Sequence, residues 1–142
     1  MSIWLTKSEP AVYSFADLQR DGRTRWDGIR NPFARAHLQK VQPGDEVLYY
    51  HTGKDKAVVG IAKVASAPYP DPADAAWLCF DLEPVRPLPR AVTLTEVKKD
   101  GKLKSMVLAK NPRLSVQPVK ESERDRILAL AAKPAKPAKR KK

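Results

Sequence analysis

The chain has 142 residues, a length typical of a single domain, and its hydrophobic fraction of 42% is enough to build a core. No apolar segment reaches the roughly 20 residues needed to cross a bilayer, and the N-terminus does not resemble a secretory signal. Cys79 is the single cysteine, which excludes an intramolecular disulfide, and two histidines do not supply an ordinary zinc site. We therefore expect a cytosolic protein, or a nuclear one in a eukaryote, that binds no metal or cofactor.

The positive charge is concentrated at the C-terminal end of the chain. The formal net charge is +11, and residues 133–142 contribute six positive charges and no acid, which leaves +5 for the rest. Repeated Lys-Pro-Ala in this segment removes amide donors and places like charges close together. We expect a folded domain in residues 1–130 and a disordered basic tail in residues 131–142. Such a tail either adds salt-sensitive affinity for a phosphate backbone or serves only solubility.

The N-terminal segment predicts a strand followed by a capped helix. Residues 3–5 form a short apolar run that is typical of a buried strand. Ser14 is suited to cap a helix that contains Phe15 and Leu18, and Gly22 lies just beyond its expected end.

The next segment predicts a second helix and a β-hairpin. Asn31 followed by a proline marks a helix start, and the apolar pattern of that helix runs to Val41. A turn at residues 43–45 then leads into a strand at residues 46–51, which pairs with a strand at residues 57–64.

The C-terminal half predicts shorter elements. We expect a strand at residues 77–85, a short helix begun by Thr93 or Thr95, an extended segment at residues 114–119 and a helix at residues 122–130. The absence of long βαβ alternation disfavours a doubly wound sheet. Short strands with helices between them favour a small α+β barrel.

The usual catalytic signatures are missing from the sequence. It contains no glycine-rich phosphate loop, nucleophile elbow or His-Glu-x-x-His motif. Cys79 lies within a predicted strand and is expected to be a small buried residue rather than a nucleophile. His51 ends another strand, but no acidic residue close in sequence is recognised as a partner that would orient it. We therefore expect a binding protein and not an enzyme.

Aromatic and polar side chains meet at the ends of the predicted elements. Trp26 directly precedes a turn, and the face of its indole is suited to stack on a nucleobase. Asn31 carries both a donor and an acceptor, which match the edge of a base. The alternative is that Trp26 fills the core and Asn31 only caps a helix. Ser8 offers a hydroxyl group after the first strand, while Lys7 is suited either to a phosphate or to an ion pair.

Several sequence blocks occur in the order found in EVE domains, which this chain resembles from about residue 3 to residue 130. The matching blocks are residues 4–10, 26–31, 34–35, 43–45, 47–51, 59–64, 67–71, 90–94 and 113–119. The resemblance implies a PUA-like fold, a small bent β-barrel of mostly antiparallel strands with helices packed around it. It also implies a protein that reads a modified base in DNA or RNA, for example methylated or hydroxymethylated cytosine or N6-methyladenine. The sequence does not show the oligomeric state, and we take a monomer as the default.

The resemblance also identifies candidate site residues. The proposed base pocket contains Ser8, Trp26, Asn31, Tyr50 and Ser115. Lys7, Arg30, Arg35 and His51 are expected to flank it or to contact phosphate. A nucleic-acid partner bound in this way would have its base extruded from the stack into the pocket.

Two alternatives stay open from the sequence. The first is a hydrolase or nuclease like some ASCH proteins on the same scaffold, with Lys7, Glu9 and His51 as its acid–base set. The second is a general RNA-associated module that binds through the basic tail whatever the base.

Overall fold

The computed structural model describes residues 2–26, 37–110 and 116–132. Within these ranges the chain forms an α+β structure, as expected. In chain order its elements are β1 (Ile3–Ser8), α1 (Phe15–Asp21), β2 (Thr24–Trp26), β3 (Glu46–His51), β4 (Ala57–Val64), β5 (Tyr69–Asp71), β6 (Asp74–Thr93), α2 (Leu94–Lys99), α3 (Val107–Lys110), β7 (Val116–Pro118) and α4 (Glu121–Ala131).

The strands form one curled mixed sheet that makes a half-barrel. The strand order is β2-β6-β4-β3-β1-β7, and β5 pairs with β6 off this path. β1 and β3 are parallel, whereas the other neighbouring strands are antiparallel. One face of the sheet packs against α1 through Phe15 and Leu18, and the other packs against α2, α3 and α4 through Val97, Leu108 and Ile127.

The predicted N-terminal strand and capped helix are both present, but β1 runs on to Ser8, so Lys7 and Ser8 lie in the strand and not after it. The side chain of Ser14 accepts the backbone N–H of Asp17, whose carboxylate in turn accepts the N–H of Ser14. Gly22 ends α1 with a φ of 77°, a conformation that favours glycine. The hairpin is also confirmed, because the strands expected at residues 46–51 and 57–64 have those bounds and pair antiparallel.

The strand expected at residues 77–85 is much longer, since β6 runs from Asp74 to Thr93. Its proline residues do not end it because the ladder between β4 and β6 shifts register twice. Pro84 and Pro87 pair beside these irregularities, where a missing amide donor costs little. At the end of β6 it is Thr93, and not Thr95, that caps α2.

The C-terminal helix extends beyond the expected domain boundary. α4 ends at Ala131, which is only 1% exposed, so the first residue of the expected tail belongs to the folded helix. Of the predicted second helix, His37 and Leu38 are helical and Val41 lies beyond its end, while residues 31–36 lie outside the described residues. The described helices include none that is long and apolar enough to cross a membrane.

Candidate functional site

The parallel pairing of β1 and β3 brings two candidate residues together at one end of the sheet. Ser8 is the residue paired with His51, and Thr6 is paired with Tyr49. Because side chains alternate along a strand, all four of these side chains lie on the same face as α1. The candidate site therefore begins at the C-terminal ends of two neighbouring strands.

Tyr49 lies at the centre of this end of the sheet and is fully buried. Its ring centroid is 5.5 Å from that of Phe15 and 5.9 Å from those of Trp26 and His51. The contacts to Trp26 and His51 are edge-to-face, a favourable geometry for aromatic rings. Burial raises the pKa of Tyr49 to about 12, so its hydroxyl is a donor at neutral pH.

A shared backbone carbonyl joins β1 to the aromatic rings. The carbonyl oxygen of Tyr13 accepts the Ser8 hydroxyl at 2.6 Å and the Tyr49 hydroxyl at 3.2 Å. Below, the aromatic cluster means the six residues Ser8, Tyr13, Phe15, Trp26, Tyr49 and His51. The Ser8 hydroxyl therefore already donates its hydrogen within the cluster, whereas its oxygen can still accept a hydrogen bond.

His51 is held at both of its ring nitrogens. Nε2 accepts the backbone N–H of Phe15 at 3.0 Å, and Nδ1 lies 3.0 Å from a carboxylate oxygen of Asp55. The expectation that no nearby acid orients His51 is therefore wrong, since Asp55 is four residues further along the chain. An imidazole that accepts at Nε2 carries its proton on Nδ1, and Asp55 stabilises that tautomer. His51 thus anchors the start of α1 to the end of β3.

Trp26 ends the edge strand β2, where it pairs with Phe80 of β6. It is half-buried and packs against the core beside Tyr49, so it is neither fully core nor fully exposed. In the described part of the chain, Trp26 Nε1 and Thr6 Oγ1 are buried polar atoms that have no hydrogen-bond partner. An unpaired buried donor costs roughly 1–3 kcal/mol, which makes each of them a position where a ligand acceptor would be stabilising.

Tyr50 lies on the opposite face of β3. It is 3% exposed and belongs to the second core, with Leu5, Leu48 and Val58. Burial raises its pKa to about 12. Lys7, its partner in the parallel register, holds its ammonium 5.6 Å from the centroid of the Tyr50 ring, and burial lowers the pKa of Lys7. The structure therefore does not bring Tyr50 and Lys7 into the aromatic cluster.

The remaining candidates, Asn31, Ser115, Arg30 and Arg35, lie outside the described residues. The sequence interpretation also overlooked Tyr13, Phe15 and Thr6, and it selected Tyr50 in place of Tyr49. The alternation of side chains along β3 could have shown that Tyr49, and not Tyr50, shares a face with His51. A pocket that includes His51 takes its other β3 residue two positions away, at Tyr49.

The acid–base set of the hydrolase alternative is not assembled in this structure. Lys7 and His51 are on opposite faces of the sheet. The Glu9 carboxylate packs against Gly53 in the turn between β3 and β4, where an added Cβ would stand 2.8 Å from it. Cys79, as expected, is fully buried.

Comparisons with known proteins agree with this architecture. The family model described as the EVE domain matches residues 2–130. Human thymocyte nuclear protein 1 is 32% identical over 168 aligned positions, which cover 93% of this chain and 75% of that protein.

Solved structures extend the comparison to the fold. A protein from Rhodopseudomonas palustris is 38% identical with a TM-score of 0.88, covering 92% of this chain and 93% of that one. Human thymocyte nuclear protein 1 in complex with DNA containing 5-methylcytosine is 30% identical with a TM-score of 0.86, covering 94% of this chain and 99% of that one. An ASCH protein from Zymomonas mobilis, at 13% identity and a TM-score of 0.55, shares the fold alone. The chain belongs to the EVE domain family.

Proposed function

We propose that this chain binds DNA and holds one modified base, with 5-methylcytosine as the first candidate, extruded from the duplex against the aromatic cluster. The observation that carries the proposal is the similarity along 94% of the chain to a human protein crystallised with 5-methylcytosine DNA. Extrusion costs a few kcal/mol, so stacking and hydrogen bonds in the site must stabilise the extruded base by a comparable free energy.

Trp26 is the residue best suited to stack on the base. Its indole lies at the edge of the core, where it packs on Tyr49, and the residue is only half-buried. Stacking of a base on an aromatic ring contributes roughly 1–3 kcal/mol. Tyr49 and Phe15 are buried behind it and would fix its orientation rather than contact the base.

The unpaired polar atoms of the site support a polar ligand. The Trp26 N–H and the Thr6 hydroxyl are buried without a partner, and both residues neighbour Tyr49, Trp26 through its ring and Thr6 through strand pairing. A base edge offers the acceptors they lack. Asn31, Ser115 and the free lone pair of Ser8 are further proposed contacts to the base edge. Arg30 and Arg35 are proposed to contact phosphate, whereas Tyr50 packs in the second core on the opposite face of β3 and is not proposed to contact this base.

We propose binding rather than catalysis as the activity. Both ring nitrogens of His51 are engaged, and freeing Nε2 to act as a base would break its bond to the Phe15 amide. His51 is therefore proposed as a positioning residue. We propose that the protein acts where DNA is present, which in a bacterium means the cytosol or the nucleoid.

The proposal is tested by substituting Trp26 and measuring affinity for matched oligonucleotides. The panel contains plain cytosine, 5-methylcytosine, 5-hydroxymethylcytosine and N6-methyladenine, as DNA and as RNA, at two salt concentrations. We expect Trp26→Ala to remove the preference for the modified base and to keep the salt-sensitive background affinity. Trp26→Phe keeps a ring but removes the N–H, and we expect it to retain part of the preference.

Thermal denaturation of each variant checks that the fold is intact before affinities are compared. Full discrimination by Trp26→Ala would place the base elsewhere on the protein. A wild-type chain that discriminates no modified base at either salt concentration would contradict the reader function itself.

A further inference from the structure

The turn between β1 and α1 ends in an exposed apolar tip. Val12 is 79% exposed and is followed in exposure among the large hydrophobic residues of the described chain by Val85 at 53%. Pro10 is half-buried and Ala11 is exposed, so residues 10–12 present an apolar surface to solvent. A single exposed valine is ordinary on a protein surface. Val12 differs from such a residue because it lies beside the aromatic cluster.

Val12 directly precedes the residue that joins the aromatic cluster together. The Tyr13 carbonyl accepts both the Ser8 and the Tyr49 hydroxyls, so the tip is one residue away from the centre of the proposed base site. Consecutive Cα atoms are about 3.8 Å apart, which places Val12 at the rim of the cluster.

The tip is also held in one conformation by its own hydrogen bonds. The backbone N–H groups of Val12 and Tyr13 both donate to the Glu9 carbonyl at 2.9 Å. The Tyr13 hydroxyl donates to Asp21 of α1 at 2.8 Å, which ties the turn to the helix that follows. An apolar tip that is ordered before binding loses little conformational entropy when it enters a ligand.

We propose that the tip formed by residues 10–12, led by Val12, is a wedge that enters the DNA duplex where the extruded base has left the stack. The inference rests on the proposed function and adds to it a duplex substrate and a residue that stabilises the extruded state. Extrusion leaves an apolar gap between neighbouring base pairs. Proteins that unstack DNA commonly fill such gaps with aliphatic side chains.

The charges around the tip are compatible with approach to a phosphate backbone. Glu9 is the acid nearest to it in sequence, and its carboxylate is turned towards Gly53 in the turn between β3 and β4. That turn also exposes Lys54 and Lys56, while its acid, Asp55, is engaged with His51. Asp17 and Asp21 of α1 are both paired with Arg20.

Val12→Ser tests the wedge, with Val85→Ser as its matched control. Both valines are exposed, so neither change should unfold the protein. Val85 lies in β6, five residues beyond the Phe80 that pairs with Trp26. Affinity is measured for one 5-methylcytosine sequence as a duplex and as a single strand. A fluorescent adenine analogue beside the target base reports unstacking in the duplex.

We expect Val12→Ser to weaken duplex binding about tenfold or more, the effect of losing one buried aliphatic side chain, and to lower the fluorescence change on binding. Single-strand affinity should not change, because a single strand has no stack to fill, and Val85→Ser should match the wild type on both substrates. Wild-type duplex affinity and fluorescence in Val12→Ser would overturn the wedge alone. A wild-type protein that distinguishes no modified base of the panel from its plain counterpart would overturn the proposed function, and the wedge with it.

Discussion

His51 shows how one side chain connects a strand, a helix and a turn. Its Nε2 accepts the first N–H of α1, a group that has no partner within the helix itself, and its Nδ1 faces Asp55. We expect His51→Leu to lower the free energy of unfolding by roughly 1–3 kcal/mol, because the buried Phe15 amide loses its acceptor. Urea denaturation followed by circular dichroism measures the loss.

Asp55→Asn is the control for that substitution. The asparagine oxygen still accepts from Nδ1, and the Asp55 side chain is 51% exposed, so we expect a cost below about 1 kcal/mol. If Asp55→Asn proved as destabilising as His51→Leu, the contribution of His51 would come from its hydrogen bond to Asp55. The Phe15 amide would then need no acceptor from β3.

Residue identity in the site was only partly predictable from the sequence. Ser8, Trp26 and His51 do meet around one cluster, but Tyr49 and not Tyr50 shares their face. The sequence shows which residues of a strand share a face. It does not show which of the two faces carries the site, because that depends on a parallel partner strand 40 or more residues away. The Asp55 contact was missed because it crosses the turn that follows β3.

At the scale of elements, the close packing of α1 on the sheet depends on a glycine. Gly60 faces Tyr49 at a register shift between β3 and β4, and the Phe15 ring lies over it. An added Cβ would stand 2.6 Å from two carbon atoms of that ring. We expect Gly60→Ala to destabilise the protein by roughly 1–3 kcal/mol, because a packed aromatic ring must move. It should also weaken base discrimination through Tyr49.

Gly101→Ala provides the control, since no atom lies within 4 Å of the added Cβ, and we expect a change within about 0.5 kcal/mol. Combining Gly60→Ala with Phe15→Leu should cost less than the sum of the two single changes, because the smaller side chain relieves the clash. Additive costs in a thermal or urea series would show that the ring is not what restricts residue 60.

Local sequence signals predicted the elements whose ends are marked by capping or turn residues. The cap at Ser14, the glycine at position 22 and the turn at residues 43–45 each mark a boundary with a physical mechanism, and each was confirmed. β2 and β5 were missed because strands of three residues have no readable period and form only by pairing with β6. The length of β6 likewise depends on its partners, which tolerate its proline residues.

At the scale of the whole molecule, we propose that residues 1–132 and the basic residues 133–142 have different tasks, which the total charge does not separate. Residues 1–132 contribute +5 of the formal charge and contain the described part of the site, whereas residues 133–142 contribute the other six charges. Phosphate contacts add affinity without reading sequence, while a pocket reads the base. Affinity and discrimination should therefore respond to different parts of the chain.

A chain that ends after Ala132 tests this division and leaves the buried Ala131 and α4 intact. Each phosphate contact adds about 0.9 to the slope of log affinity against log salt, so removing six charges should make the slope shallower by up to about 5. The ratio of affinities for modified and plain DNA should stay the same. A full-length variant with the six basic residues changed to serine separates the effect of charge from that of length. If the shortened chain bound no DNA at all, the tail would be the binding element, and the RNA-associated module would become the better interpretation.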